Sequence, residues 1–289
     1  MRYLPAVAIS LCFAITACGS SYSENPEPPL GEVKRVNSGS DISLPLDAYD
    51  TTAEERAALQ KVYDLFGIAC MKKKGFKVTM PERRTESSES VYGRRYFIVR
   101  MDEAARFGYR PARMMENDQE KIKNMKTGLE SPAAHKAWTD QDPDDNSNPN
   151  KATGCGAAAL PVVDKGVGKD SDIVIHNLSS ESWHRSEQDS RMQAVFKEWS
   201  SCMATSGFTY TTPIESNNDK RWHGEVTPLE IATAKADVSC KQKSNLAGLW
   251  LAVETAYQER QIEENAEALR VRRAVWDIRM RNARQALGG

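Results

Sequence analysis

Cys202-Met203-Ala204-Thr205-Ser206-Gly207-Phe208-Thr209-Tyr210-Thr211-Thr212-Pro213 echoes an earlier stretch, Cys70-Met71-Lys72-Lys73-Lys74-Gly75-Phe76-Lys77-Val78-Thr79-Met80-Pro81. Each reads Cys-Met-x-x-x-Gly-Phe, then a β-prone pair at alternating positions, then proline. Upstream of each lies an apolar stripe at helical spacing: Leu59, Val62, Tyr63, Phe66 and Cys70 in the first, Met192, Val195, Phe196, Trp199 and Cys202 in the second. Both helices stop at a glycine, the residue that takes the left-handed conformation after a last turn at no steric cost. Helix, glycine and strand at matching offsets predict a duplication and hence two related lobes; the alternative is two independent uses of a common helix-glycine-strand connection.

Working outward, Thr51 or Thr52 opens the first helix, with Glu54 and Glu55 three residues on as capping-box partners. Arg94 to Arg100 reads as a strand, and Asp102 as the cap of a short helix ended by Gly108. From Met114 to Asn150 the chain is polar and reads as a long surface loop. Thr227-Pro228-Leu229-Glu230 is the clearest helix start, with Thr227 as N-cap, proline at the first helical position and Glu230 closing the box. That helix runs through Asp237 and Cys240 to a break near Asn245 or Gly248. A second then carries Leu249, Trp250, Val253, Tyr257 and Ile262 on one side and continues towards Ala286. The expected fold is α+β, mainly helical, with two related lobes at 51–160 and 161–289, short strands and a long C-terminal helix.

With 289 residues, 40% of them hydrophobic, the chain can build a core, and 39 Lys+Arg against 40 Asp+Glu leave it almost neutral. That excludes a collagen, a wholly disordered chain and a nucleic-acid binder working by bulk positive charge. At the N-terminus, Arg2 precedes the uncharged apolar run Tyr3 to Ala17, the pattern of a secretory signal peptide at 1–17. Its end, Ile15-Thr16-Ala17-Cys18-Gly19-Ser20-Ser21, resembles the bacterial lipobox, which implies cleavage after Ala17 and a lipid on Cys18. An ordinary signal peptide with an incidental Cys18 is the alternative. Residues 18–50 are rich in serine, proline and acids and read as a flexible tether with a reach of roughly 30 Å.

Once Cys12 leaves with the signal peptide and Cys18 takes the lipid, Cys70, Cys155, Cys202 and Cys240 remain. In an exported domain they predict two disulfides. Cys70 with Cys155 and Cys202 with Cys240 keeps each bridge inside one lobe; the alternative joins Cys70 to Cys202. No metal or cofactor is expected. Closely spaced Cys-x-x-Cys zinc knuckles are absent. The aspartates from Asp140 have calcium-loop spacing but Asp145 where glycine belongs and Lys151 where glutamate belongs, so they read as a solvated acidic loop.

Nucleophile-elbow, phosphate-loop and metalloprotease signatures are missing, which weighs against an enzyme. Two Trp-His pairs, Trp183-His184 and Trp222-His223, offer an aromatic platform beside a titratable ring, or else are half-buried lids with solvated histidines. Arg270, Arg272, Arg273, Arg279, Arg281 and Arg284 face one acid, Asp277, in the last stretch. They suit the end of a helix and a solvated face. Beside Trp276 and Met280 they are also candidates for contact with anionic phospholipid or phosphate-bearing wall polymer. The competing intramolecular target is the acidic stretch from Met114 to Asn150.

The lipobox, the paired Cys-Met-x-x-x-Gly-aromatic motifs, Gly154-Cys155, and Ala236-Asp237-Val238-Ser239-Cys240-Lys241 leading to Trp250-Leu251-Ala252-Val253-Glu254 and Tyr257-Gln258 resemble a group of uncharacterised exported lipoproteins of actinobacteria. The resemblance covers most of residues 50–265 and implies membership without an activity. The expected function is a lipid-anchored binding or interaction module on the outer face of the cytoplasmic membrane, with an envelope polymer or a protein as partner and no nucleic acid. The rivals are an enzyme acting on envelope polymers through an acid pair, and an accessory subunit of a signalling or secretion system.

Overall fold

The structure, a computed structural model, describes residues 26–80, 91–111, 127–140, 154–168 and 173–288. The signal peptide, Cys18, Pro81, most of the Met114–Asn150 stretch and all of the calcium-like spacing beyond Asp140 lie outside these residues. Ten α-helices are described: α1 (Ala53–Lys73), α2 (Met101–Phe107), α3 (Pro132–Thr139), α4 (Leu160–Val163), α5 (Ile173–Gln188), α6 (Ser190–Thr205), α7 (Pro213–Asn217), α8 (Pro228–Ser244), α9 (Leu246–Glu264) and α10 (Ala266–Ala286). Among the described residues there is no strand, so the fold is all-α and the expected α+β class is corrected.

The expected strands give way to turns and to single hydrogen bonds with other parts of the chain; after Gly75, Thr79 N donates to Thr127 O at 2.9 Å. In the Arg94–Arg100 stretch, Tyr96, Ile98 and Val99 are all buried, where a two-faced strand would alternate. The backbone turns at Phe97, which has φ 63°. Hydrophobic burial, rather than a ladder, satisfies these β-prone side chains. After Gly207, the Tyr210 carbonyl accepts a hydrogen bond from Ser200 Oγ at 2.6 Å instead of a neighbouring strand.

What the two motifs do share is the helix end. Gly75 has φ +86° and Gly207 has φ +84°. Phe76 N donates to Met71 O at 2.9 Å and Gly75 N to Lys72 O at 3.0 Å; Phe208 N donates to Met203 O and Gly207 N to Ala204 O, both at 3.0 Å. These are matching Schellman caps, each satisfying carbonyls that the helix leaves unpaired. Met71 and Met203 are both fully buried beneath them. The motif cysteines bond within each stretch's own surroundings: Cys70 to Cys155 with Cα atoms 5.4 Å apart, and Cys202 to Cys240 at 5.7 Å. Each bridge contributes about 2–4 kcal/mol, chiefly by restricting the unfolded chain.

Helix starts follow the capping chemistry. Thr52 Oγ1 accepts from Glu55 N at 3.1 Å and Glu55 accepts from Thr52 N at 3.0 Å, a complete box. Arg100, not Asp102, is the N-cap of α2. Asn245, in the left-handed conformation, makes the break between α8 and α9, and a second break at Asn265 separates α9 from α10. Within the expected surface loop, α3 is capped by Ser131 and brings Trp138 onto the cluster around Met71 and Cys155.

The main core is built by α6, α8 and α9 around Trp199 and Trp250, both fully buried, with α5 lying along α9. It also takes in Val36, Ile42 and Leu44 from the N-terminal segment and Tyr96, Ile98, Val99, Ala104 and Tyr109 from 91–111. A smaller cluster joins Val62 of α1, Ala159 and Val163 to Ala283 of α10. Packing therefore crosses the position 160/161 that the sequence suggested as a lobe boundary.

Residues 26–50 are not a free tether. Arg260 donates to Pro26 O at 2.7 Å, Arg191 to Pro28 O at 2.9 Å, and Glu27 accepts from Ser190 N at 2.6 Å at the start of α6. Leu46 N donates to the buried Gln258 Oε1 at 3.0 Å. A proline-rich segment has no internal ladder, so these helix side chains supply its partners, and Ile42, Leu44 and Leu46 are buried at alternate positions against the helices.

Candidate functional site

Trp222 and Tyr109 stack with ring centroids 5.6 Å apart, and a cavity of about 400 Å³ opens beside them. Its walls come from three places: the exit of α2 (Tyr109, Arg110), the stretch from the end of α7 to His223, and Glu230 on the first turn of α8. The Cys202–Cys240 bridge ties α6 to α8.

Backbone at the α2 exit is held by Arg94, which donates to Tyr109 O at 3.0 Å and Arg110 O at 2.6 Å. Arg110 Nη2 donates across the cavity to Trp222 O at 3.0 Å, and Trp222 Nε1 to Ser216 O at 2.7 Å. On the rim, Asp219 accepts from Arg221 Nε at 2.9 Å and from the Tyr210 hydroxyl at 2.7 Å. The Arg221 hydrogen bond holds the Asp219 carboxyl well below the usual range. Burial, followed by the bond to Asp219, pushes the Tyr210 hydroxyl up to about 12.

Glu230 was expected to close its capping box. Thr227 Oγ1 does accept from Glu230 N at 3.1 Å, but the carboxylate turns inward instead. Its Oε1 accepts from Tyr109 N at 3.1 Å and its Oε2 lies 3.6 Å from Arg110 Nη2. A Cβ on Gly108, where φ is +59°, would sit 2.7 Å from that Oε1, so the approach requires glycine. Glu230 is fully buried, yet its Oε2 and the buried Arg110 Nε make no hydrogen bond with the described residues. Burial, with the Asp237 charge nearby, drives the Tyr109 hydroxyl far above its ordinary value.

Of the two Trp-His pairs, Trp222 and His223 line this cavity. Trp183 instead stacks on Trp250 at 5.6 Å in the main core, and His184 is exposed. Tyr109, Arg110 and Glu230 were not singled out by sequence for this role; Glu230 read as a cap, and no spacing links 109–110 to 217–223.

The C-terminal arginines divide. Arg273 binds Glu55 at 2.8 Å and Asp277 at 2.7 Å, Arg279 binds Asp164 at 2.8 Å, Arg272 reaches Asp50 at 3.3 Å, and Arg270 pairs with Glu267 at 2.6 Å. Arg281 and Arg284 are exposed. Met280 is buried and Trp276 Nε1 donates to Glu55 at 3.2 Å, so neither side chain stands clear to enter a lipid interface. Half of the group, Arg272, Arg273 and Arg279, therefore fastens α10 to the N-terminal segment, α1 and the end of α4. The apolar face of α10, with Leu269, Val275, Met280 and Ala283, is likewise covered.

Among the described residues no group of three or more His, Cys, Asp or Glu side chains is placed to hold a metal ion, and no helix is long and apolar enough to cross a membrane. No protein-family model, curated protein or solved structure matches the chain.

The Asp219 carboxyl, held low in the folded state, stabilises the protein above its ordinary value of 3.8, and this contribution is lost as the pH falls below it. Arg221→Gln should therefore destabilise the protein at neutral pH, by an amount that shrinks through the carboxylate range. Urea midpoints of both proteins along a pH series check this, and a difference constant with pH would contradict it.

Proposed function

We propose that this chain is an exported lipoprotein, held by a lipid on Cys18 at the outer face of the cytoplasmic membrane, which binds a small ligand in the cavity beside Tyr109 and Trp222. The lipobox residues and the two disulfides support the compartment, because such bridges persist in oxidising surroundings. The resemblance to exported actinobacterial lipoproteins agrees with that address and adds no activity. With residues from Pro26 onward fastened to the helices, the chain from Cys18 to Pro26 spans at most about 28 Å, which keeps the body close to the bilayer.

The observation that carries the binding reading is Glu230. A fully buried carboxylate with an oxygen lacking a hydrogen bond costs stability, and in a cavity wall that cost is offset when a ligand supplies the missing partner.

Two experiments test the parts separately. Cys18→Ala should abolish incorporation of labelled fatty acid and release the protein from membranes; continued labelling would remove the anchor. Ligand-observed NMR on the full-length protein, with neutral sugars, free amino acids and inorganic phosphate as separate probes, should show saturation transfer to at least one class. That transfer should be lost in Asn218→Ala, an exposed rim position; no transfer to any class would remove the binding reading.

A further inference from the structure

The two atoms left without hydrogen bonds at the cavity wall are of complementary kinds. Glu230 Oε2 accepts and Arg110 Nε only donates. Glu230 Oε2 and the Arg110 guanidinium are neighbours, 3.6 Å apart at Nη2, so an acceptor and a donor await partners in one place. An anionic ligand would satisfy Arg110 and be repelled by Glu230 and Asp219. An ammonium would satisfy Glu230 but has no lone pair for Arg110 Nε. A hydroxyl serves both, giving its proton to Oε2 and a lone pair to Nε.

Charge points the same way. Arg110 stands against Glu230, and Arg221 against Asp219 at 2.6 Å, so no unbalanced charge in these pairs calls for a counter-ion. On the rim, the Asn217 and Asn218 amides each carry donors and an acceptor, suited to further hydroxyls. Beside them the Tyr109–Trp222 stack supplies an apolar wall for the C–H face of a ring. The volume, about 400 Å³, falls within the range of small-molecule sites.

We propose that the cavity binds a neutral polyhydroxylated ligand, a carbohydrate unit, with one hydroxyl bridging Glu230 Oε2 and Arg110 Nε. The proposal rests on the reading of this cavity as a binding site and names its ligand class. Both bridging atoms are sealed from solvent, so the hydroxyl reaches them when the Arg110 guanidinium turns from its 3.0 Å bond to Trp222 O.

The test is calorimetric titration of the full-length protein with glucose and N-acetylglucosamine, their charged relatives glucosamine and glucuronate, and glycine and inorganic phosphate. Binding should favour the neutral sugars. Glu230→Gln, which keeps an oxygen for Tyr109 N but loses the charge, should weaken it at least about tenfold. Asn218→Ala, at an exposed site where folding is not at stake, should weaken it as well. Preference for glucosamine, glucuronate, glycine or phosphate would overturn the carbohydrate assignment while leaving the cavity as a binding site. Neutral-sugar binding unchanged in both variants would place the sugar elsewhere and overturn the assignment too, and failure of every probe would remove both readings.

Discussion

Lys241 is 2% exposed, and its ammonium is the point on which three parts of the chain converge. It donates to Asp237 Oδ2 at 2.9 Å one turn back on α8 and to the Ile98 carbonyl at 3.0 Å, and it lies 5.6 Å from the centre of the Phe97 ring. The other oxygen of Asp237 accepts from Trp199 Nε1 of α6 at 2.8 Å. Burial pulls the Lys241 value down and pushes the Asp237 value up, and each charge opposes the other's shift. Such a pair adds little net stability against an apolar replacement, but it specifies which backbone carbonyl and which indole must stand where. It thereby fixes the Phe97 turn against α8. From that turn the chain enters α2 and delivers Tyr109 and Arg110 to the cavity.

A second buried hub works in parallel on α9. Glu254 accepts from the Arg95 guanidinium, from Tyr96 Oη at 2.9 Å and from Gln258 Nε2 at 2.9 Å, and Gln258 in turn holds Leu46 N. The helices thus use buried carboxylates and amides to capture extended backbone that has no ladder of its own. This arrangement explains why residues 26–50 and 94–100, which hold only two short 3-10 turns at Gly39–Asp41 and Pro45–Tyr49, are firmly placed without a strand or an α-helix.

The helices were legible because their signals are local. Thr52, Thr227 and Gly207 sit where capping chemistry puts them, and the stripe from Met192 to Trp199 faces the core; the Ser131 cap, inside the stretch read as a loop, was missed. The disulfide partners were legible from which half of the chain each cysteine occupies. What failed depends on contacts distant in sequence. Tyr96, Ile98 and Val99 look like strand residues until the buried Lys241, 143 positions beyond Ile98, is seen to take the carbonyl. Pro26 to Leu46 looked like a tether because its prolines, serines and acids mask a short alternation, Ile42, Leu44 and Leu46, whose burial depends on helices far along the chain. At the site, the Trp222-His223 dipeptide gave a hint, but Glu230 carries the same letter whether it caps a helix or lines a cavity, and only the position of Tyr109 N decides.

On this reading the Asp237–Lys241 pair orders the 97–111 segment and so builds the cavity wall. A double-mutant cycle with Lys241→Met, Asp237→Leu and the two together, read by chemical denaturation, tests it most directly. Each single change strands a buried charge and should cost about 3–5 kcal/mol, while the double change should cost far less than the sum. Single changes below about 1 kcal/mol that simply add would show that the segment is held by apolar packing alone and would contradict the account.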